Sequence, residues 1–421
     1  MKSAVWMVLF MSAVFSSFQK INSQLVVNLT VIHNATSLGA VCLDGSPPGY
    51  HLHRGFGSGA QNWILQMEGG AWCNDELSCY LRSKTAYGSS LYMGSWNFSG
   101  ILSNDPNMNP DFYNWNRVFL RYCDGASFAG NSEYRNGTKR LYFRGLRIWD
   151  AIVHDLFPEG LQHAEKALLS GCSAGGLATF LHCDNFSQLF PETTIVKCMS
   201  DAGFFLDVKD KSGYNNIRHF FRSLVKFQGV EQSLSEKCVN SHHDPYLCFF
   251  PQHALKHIRI PYFVLNSAYD VTQVDNIFVP LSSDPCGHWK NCKLNYTMCT
   301  PNEINILQGY RSQMLKALRS TKFLENGGGM FINSCFSHCQ SEEQYSWFAP
   351  LSPKVHNKTI AVAVGDWYFG REVSVEVDCP YPCNPTCLKP NSLIQIVDLQ
   401  GRAQNLNVTE KNPHKKNSCS H

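Results

Sequence analysis

The chain has 421 residues, 44% of them hydrophobic and 16% charged, which is enough for one large α/β domain or two ordinary ones around a substantial core. Its formal net charge of +3 is too small to point to a nucleic-acid binder. No 20–50-residue period recurs, so solenoids and propellers are excluded.

In chain order, Lys2 precedes an apolar run from Ala4 to Phe15 and then small and polar residues. This reads as a signal peptide over 1–23, with cleavage near Ser23. The run is short for a membrane span, and an uncleaved anchor is the rival reading. No later stretch could cross a bilayer, so no membrane contact is expected after signal removal. Residues 24–400 are expected to form a single domain and 401–421 a polar, basic tail carrying Lys411, Lys415 and Lys416.

The sequence predicts strands at 63–67 and 118–122, a helix over 143–156, a short strand at 167–170 and a helix over 177–190. Further strands are expected at 194–199, 262–265 and 330–332. Strands alternating with helices imply an α/β fold with a mostly parallel sheet. Cys379 to Pro390 is rich in proline and cysteine and reads as an irregular, stapled loop.

Two features fit secretion. The chain holds 18 cysteines, and an even, high count behind a signal peptide implies disulfides whose connectivity stays open. Sequons stand at Asn28, Asn34, Asn97, Asn136, Asn185, Asn295, Asn357 and Asn407, the expected glycosylation sites. Cys379, Cys383 and Cys387 are evenly spaced, but an oxidising compartment favours disulfides over zinc. No metal or cofactor is expected.

The sharpest motif is Gly171-Cys172-Ser173-Ala174-Gly175-Gly176, a G-x-S-x-G between a predicted strand and a predicted helix. A nucleophile elbow needs this pattern: the serine sits in a strained turn, small neighbours allow close passage, and the helix start offers amides to developing negative charge. A serine needs a base, and in such folds the order along the chain is Ser, acid, His. Asp270 follows the apolar run Pro261–Leu265 and is the candidate acid, with Asp275 its rival. His338 follows Met330–Ile332 and is the candidate base. Among the 16 histidines, His288 and His356 compete on order, whereas His53 and His154 precede the serine.

Glu68-Gly69-Gly70-Ala71-Trp72-Cys73 resembles an oxyanion loop, so Gly70 or Ala71, together with Ala174, are the candidate donors. Asp124 and Asp201 both follow strands and form a rival glycosidase carboxylate pair. That alternative leaves the elbow unexplained.

These residues, taken together, resemble the plant pectin acetylesterases. The resemblance runs from about Val41 to Cys383. Its motifs are 41–50, 68–73, 121–130, 171–176, 200–205, 266–270 and 333–339, in that order. It implies a hydrolase that removes acetyl groups from pectin in the cell wall, with Ser173 as nucleophile, Asp270 as orienting acid and His338 as general base. The animal Notum carboxylesterases share the motif order but remove a fatty acyl group from a signalling protein. Two departures from the plant pattern stand out: Ala71 where a third glycine is usual, and Val271-Thr272-Gln273-Val274 where a tryptophan is more usual. The expected partner is acetylated pectin, and the protein is expected to act as a monomer. A longer-chain carboxylesterase, a serine peptidase and a non-catalytic carbohydrate-binding relative are the rival readings.

Overall fold

The computed structural model describes residues 25–387. The expected signal segment, the basic tail and Asn407 lie outside the described residues. A nine-stranded sheet organises the molecule. Its strands in chain order are β1 (Thr30–Val31), β2 (Gly49–His53), β3 (Asn62–Met67), β4 (Asn116–Leu120) and β5 (Lys166–Cys172). They continue as β6 (Ile195–Asp201), β7 (Tyr262–Ser267), β8 (Gly329–Asn333) and β9 (Val375–Val377). Spatial order is β9-β8-β7-β6-β5-β3-β4-β2-β1. Strands β3 to β9 run parallel; at one edge β2 runs antiparallel to β4, and β1 antiparallel to β2.

The helices used below are α1 (Glu76–Arg82), α2 (Gly145–Leu156), α3 (Ala174–Ser187), α4 (Asn216–Gln228), α5 (Pro301–Ser320) and α6 (Ile360–Phe369). The predicted elements all form, with boundaries shifted by a few residues. Helices α1, α4, α5 and α6 and strands β1, β2 and β9 add to them. Their signals were present: Ile217, Phe221, Leu224 and Val225 recur at helical spacing, and Thr300 with Glu303 closes a capping box at the start of α5.

Because helices cover both faces, the central strands are buried on both sides. On β3, Trp63, Leu65 and Met67 join a large core with α2, α3 and α4. Ile64 turns to the second core, with Phe119, Leu168, Met199, Leu265 and the residues of α6. Parallel strands align their C-terminal ends, so β3, β5, β6, β7 and β8 all deliver loops to one edge, where open α/β sheets bind ligands.

Every described cysteine is disulfide-bonded, Cys379, Cys383 and Cys387 included. The 379–383 and 335–387 bonds staple the loop predicted there. Among the described sequons, Asn28, Asn34, Asn136, Asn185 and Asn357 are exposed, and Asn97 and Asn295 are half-buried. No helix among the described residues is long and apolar enough to cross a membrane.

Candidate active site

Ser173 lies between the last residue of β5 and the first of α3, at φ 57°, ψ −121°. L-residues rarely adopt this conformation, which costs on the order of 1–3 kcal/mol and persists only when the surroundings impose it. The surroundings do. A Cβ on Gly175 would lie 2.0 Å from the Met67 carbonyl oxygen, and one on Gly176 would lie 2.6 Å from that of Asp201. Only glycine lets the first turn of α3 press this closely on β3 and β6.

The sequence order Ser, acid, His becomes one cluster at the strand ends. Asp270 follows β7, is fully buried, and accepts a hydrogen bond from His338 Nδ1 at 2.8 Å. Its other oxygen accepts the Gln273 amide at 3.0 Å, which fixes the carboxylate plane. His338 follows β8. The Cys172–Cys339 disulfide, with 5.4 Å between Cα atoms, joins the residue before Ser173 to the residue after His338. A ring nitrogen of His338 lies within 4.8 Å of both sulfurs. Burial alone would lower the pKa of His338. The Asp270 charge and hydrogen bond, with Asp201 and Glu342 farther off, outweigh it and raise the value.

The rivals separate from this cluster. Asp275 sits on the short helix after Asp270 and makes no bond to His338. His356 pairs with Glu376 at 2.6 Å, His288 is exposed, His53 contacts Arg117, and His154 accompanies the Asp150 carbonyl. The glycosidase pair fails on access: Asp124 and Asp201 are both fully buried. Asp124 caps its own loop through the amides of Ala126 and Phe128.

The loop after β3 packs directly on the elbow. A Cβ on Gly69 would lie 2.9 Å from Ser173 Cβ. Gly70 has φ 131° and Ala71 φ 54°, so Ala71 holds a left-handed conformation that glycine would take more easily. Arg82 Nη1 donates to the Gly70 carbonyl at 2.6 Å, and Tyr122 Oη donates to that of Ala71 at 2.9 Å. In a trans peptide the carbonyl and the next N–H point opposite ways. Holding these carbonyls therefore turns the Ala71 and Trp72 amides to the other side of the loop. Trp72 is thus a further donor candidate that the motif did not single out.

Ser127 was also not singled out. Its hydroxyl donates to the Ala174 carbonyl at 2.8 Å and accepts from Trp72 Nε1 at 2.7 Å. Its amide donates to Tyr122 Oη at 3.1 Å. One residue thereby ties the oxyanion-type loop to the elbow helix.

Beside Ala71 and Trp72 opens a cleft of about 490 Å³, walled by Phe205, Ile217, Phe220 and Ile277. A larger groove of about 960 Å³ is lined by none of the residues of the Ser173 cluster, and its charges are balanced, as in the Arg218–Asp207 pair.

A sequence profile described as Pectinacetylesterase matches residues 20–388. The chain belongs to the pectinacetylesterase family. It is 49% identical over 370 residues to pectin acetylesterase 5 of Arabidopsis thaliana, covering 87% of this chain and 86% of that protein. It is 47% identical to pectin acetylesterase 7 of the same plant, covering 86% and 92%. Palmitoleoyl-protein carboxylesterase notum1a of Danio rerio is more distant, at 28% identity over 85% of this chain and 72% of its own length. Family membership supports an esterase. The cluster around Ser173 lies within the matched region.

Proposed function

We propose that this chain is a secreted serine esterase that hydrolyses acetyl esters of pectin in the plant cell wall and releases acetate. The observation that carries the reading is the Asp270–His338 hydrogen bond beside the strained Ser173 elbow, in a member of the pectinacetylesterase family. The disulfide bonding of every described cysteine supports an oxidising, extracellular setting.

In this mechanism Asp270 takes the Nδ1 proton's hydrogen bond and leaves His338 Nε2 as the base. Nε2 removes the proton from Ser173 as its Oγ attacks the acetyl carbonyl. The amides of Ala174 and of Ala71, with Gly70 or Trp72 beside it, receive the oxyanion. The C–O bond to the sugar breaks, His338 protonates the leaving sugar oxygen, and acetyl-Ser173 remains. Water, deprotonated by His338, attacks the acetyl group and frees acetate and Ser173. Each oxyanion donor contributes on the order of 10²–10³ in turnover.

The test is acetate release from acetylated pectin by the native protein and by Ser173→Ala. Release by the first and none by the second supports both mechanism and substrate. No release by either, while a short-chain synthetic ester is still cleaved, moves the substrate to another acylated glycan or protein.

The apolar cleft beside Ala71 favours a second reading, a carboxylesterase for a longer acyl group. Its volume lies in the range of ordinary ligand pockets. Turnover of synthetic esters from acetyl to octanoyl separates the two: a fall with chain length supports acetyl specificity, and a rise supports the longer acyl group.

A further inference from the structure

We propose that Asp201 is a positioning residue for the hydrolysis: its backbone holds the amide of Ser173 while its side chain holds the loop that carries His338. The inference rests on the serine-esterase reading above.

Asp201 ends β6, between the nucleophile strand and the strand that leads to Asp270. Its carbonyl oxygen accepts the Ser173 amide at 2.9 Å. The same oxygen would lie 2.6 Å from a Cβ on Gly176, so the first turn of α3 rests on it as well. Its Oδ2 accepts both the backbone amide of Ser341, at 2.6 Å, and the Ser341 hydroxyl, at 2.7 Å. Ser341 lies three residues beyond His338. The next residue, Ala202, takes φ 49° and donates its amide to the Leu265 carbonyl of β7 at 2.9 Å. One turn thus touches the segments bearing all three members of the cluster. Its side chain is fully buried, so direct contact with a polymer is excluded.

A loop staple alone would need only hydrogen bonds. Asp201 also acts on His338 through its charge. The groups facing His338 are Asp270 from the β7 loop, Asp201 from β6 and Glu342 from its own loop. Behind Glu342 stand Asp201, Glu343 and Glu68, the last neutralised by Arg121 at 2.8 Å and flanked by Arg82 and Tyr87. Burial pushes Glu342 up to about 8, so it is largely uncharged at pH 7. Burial raises the Asp201 pKa, while the two Ser341 hydrogen bonds to its Oδ2 oppose that rise and favour its charged form. Held by those two hydrogen bonds, the Asp201 carboxylate adds its charge to that of Asp270 in support of protonated His338.

Two substitutions separate charge from clamp. Asp201→Asn keeps an oxygen for Ser341 and removes the charge. Its acid limb in kcat/KM, read on a short-chain synthetic ester, is expected to move down by roughly 0.5–1 pH unit, with the plateau kcat within about threefold of the native value. Asp201→Ala removes the clamp and is expected to lower the plateau kcat about tenfold or more with KM within about twofold. The downfield His338 Nδ1 proton, titrated by NMR, follows the same order without depending on turnover. A folded Asp201→Asn protein whose acid limb and proton resonance titrate as in the native chain overturns the electrostatic role. Native plateau kcat in Asp201→Ala overturns the positioning role. Ser173→Ala runs alongside: hydrolysis that survives it sinks the serine mechanism on which this inference rests, and the NMR titration still decides the influence of Asp201 on His338.

Discussion

Gly69→Ala probes the contact on which the whole site depends. The added Cβ would stand 2.7 Å from the Cys172 carbonyl oxygen and 2.9 Å from Ser173 Cβ. Carbon pairs settle at about 3.5 Å or more, so the loop and the elbow must part by about 0.6 Å. Neither side yields easily. The loop is held by Arg82 and Tyr122, and the elbow by the Cys172–Cys339 bond and the Asp201 carbonyl. A displacement of about 1 Å between reacting groups costs on the order of 100-fold, so the expected loss in kcat is roughly 10–100-fold with little change in KM. Overpacking should also cost about 1–3 kcal/mol of stability. The assay is turnover of a short-chain ester beside a denaturant melt. Gly309→Ala is the comparison: it lies inside α5 with nothing within 4 Å of an added Cβ. That change should stabilise by about 0.8–1 kcal/mol and leave turnover alone. A Gly69→Ala enzyme with native kcat would refute the claim that this loop and Ser173 are set against each other by contact.

The remaining predictions concern charge and covalent support. Since the His338 pKa is raised, the neutral base fills only above the ordinary 6.5, and the acid limb of kcat/KM should have its midpoint above that value. By the same sign, the stability that charged His338 contributes is full below 6.5 and is lost as pH rises through its folded value. Asp270→Asn should move the limb down and cost on the order of 10³–10⁴ in kcat, as measured over a pH series. Replacing Cys172 and Cys339 together by serine opens a cross-link spanning 167 residues. Shorter bonds inside that span limit the entropy gain, so a loss on the order of 3–5 kcal/mol is expected in guanidinium unfolding, with lower turnover. Glu342, raised to about 8, makes the native fold lose stability as pH climbs from about 4.5 to about 8. Glu342→Gln lacks that fall, so its advantage in Tm over the native chain should grow from pH 5 to pH 8; an equal difference at both pH values counts against the buried-carboxyl argument.

The sequence by itself determined the α/β alternation, the elbow at Ser173 and the order of Asp270 and His338 behind it. Those features are local. A strand is readable from its apolar run, and an elbow from the small residues that its strained turn requires. Family resemblance then narrowed the chemistry because several motifs kept their order. Asp270 and Asp275 could not be separated by position alone, since both follow the same strand. Only the folded chain brings one carboxylate to His338 Nδ1, at 2.8 Å across 68 residues. Tertiary structure likewise decided the Cys172–Cys339 pairing, the hub at Ser127 and the burial of Asp201, which turned a candidate glycosidase acid into a support for Ser173 and His338. Each of these depends on which strand ends lie side by side. Parallel pairing sets that through contacts distant in sequence, and no local pattern encodes it.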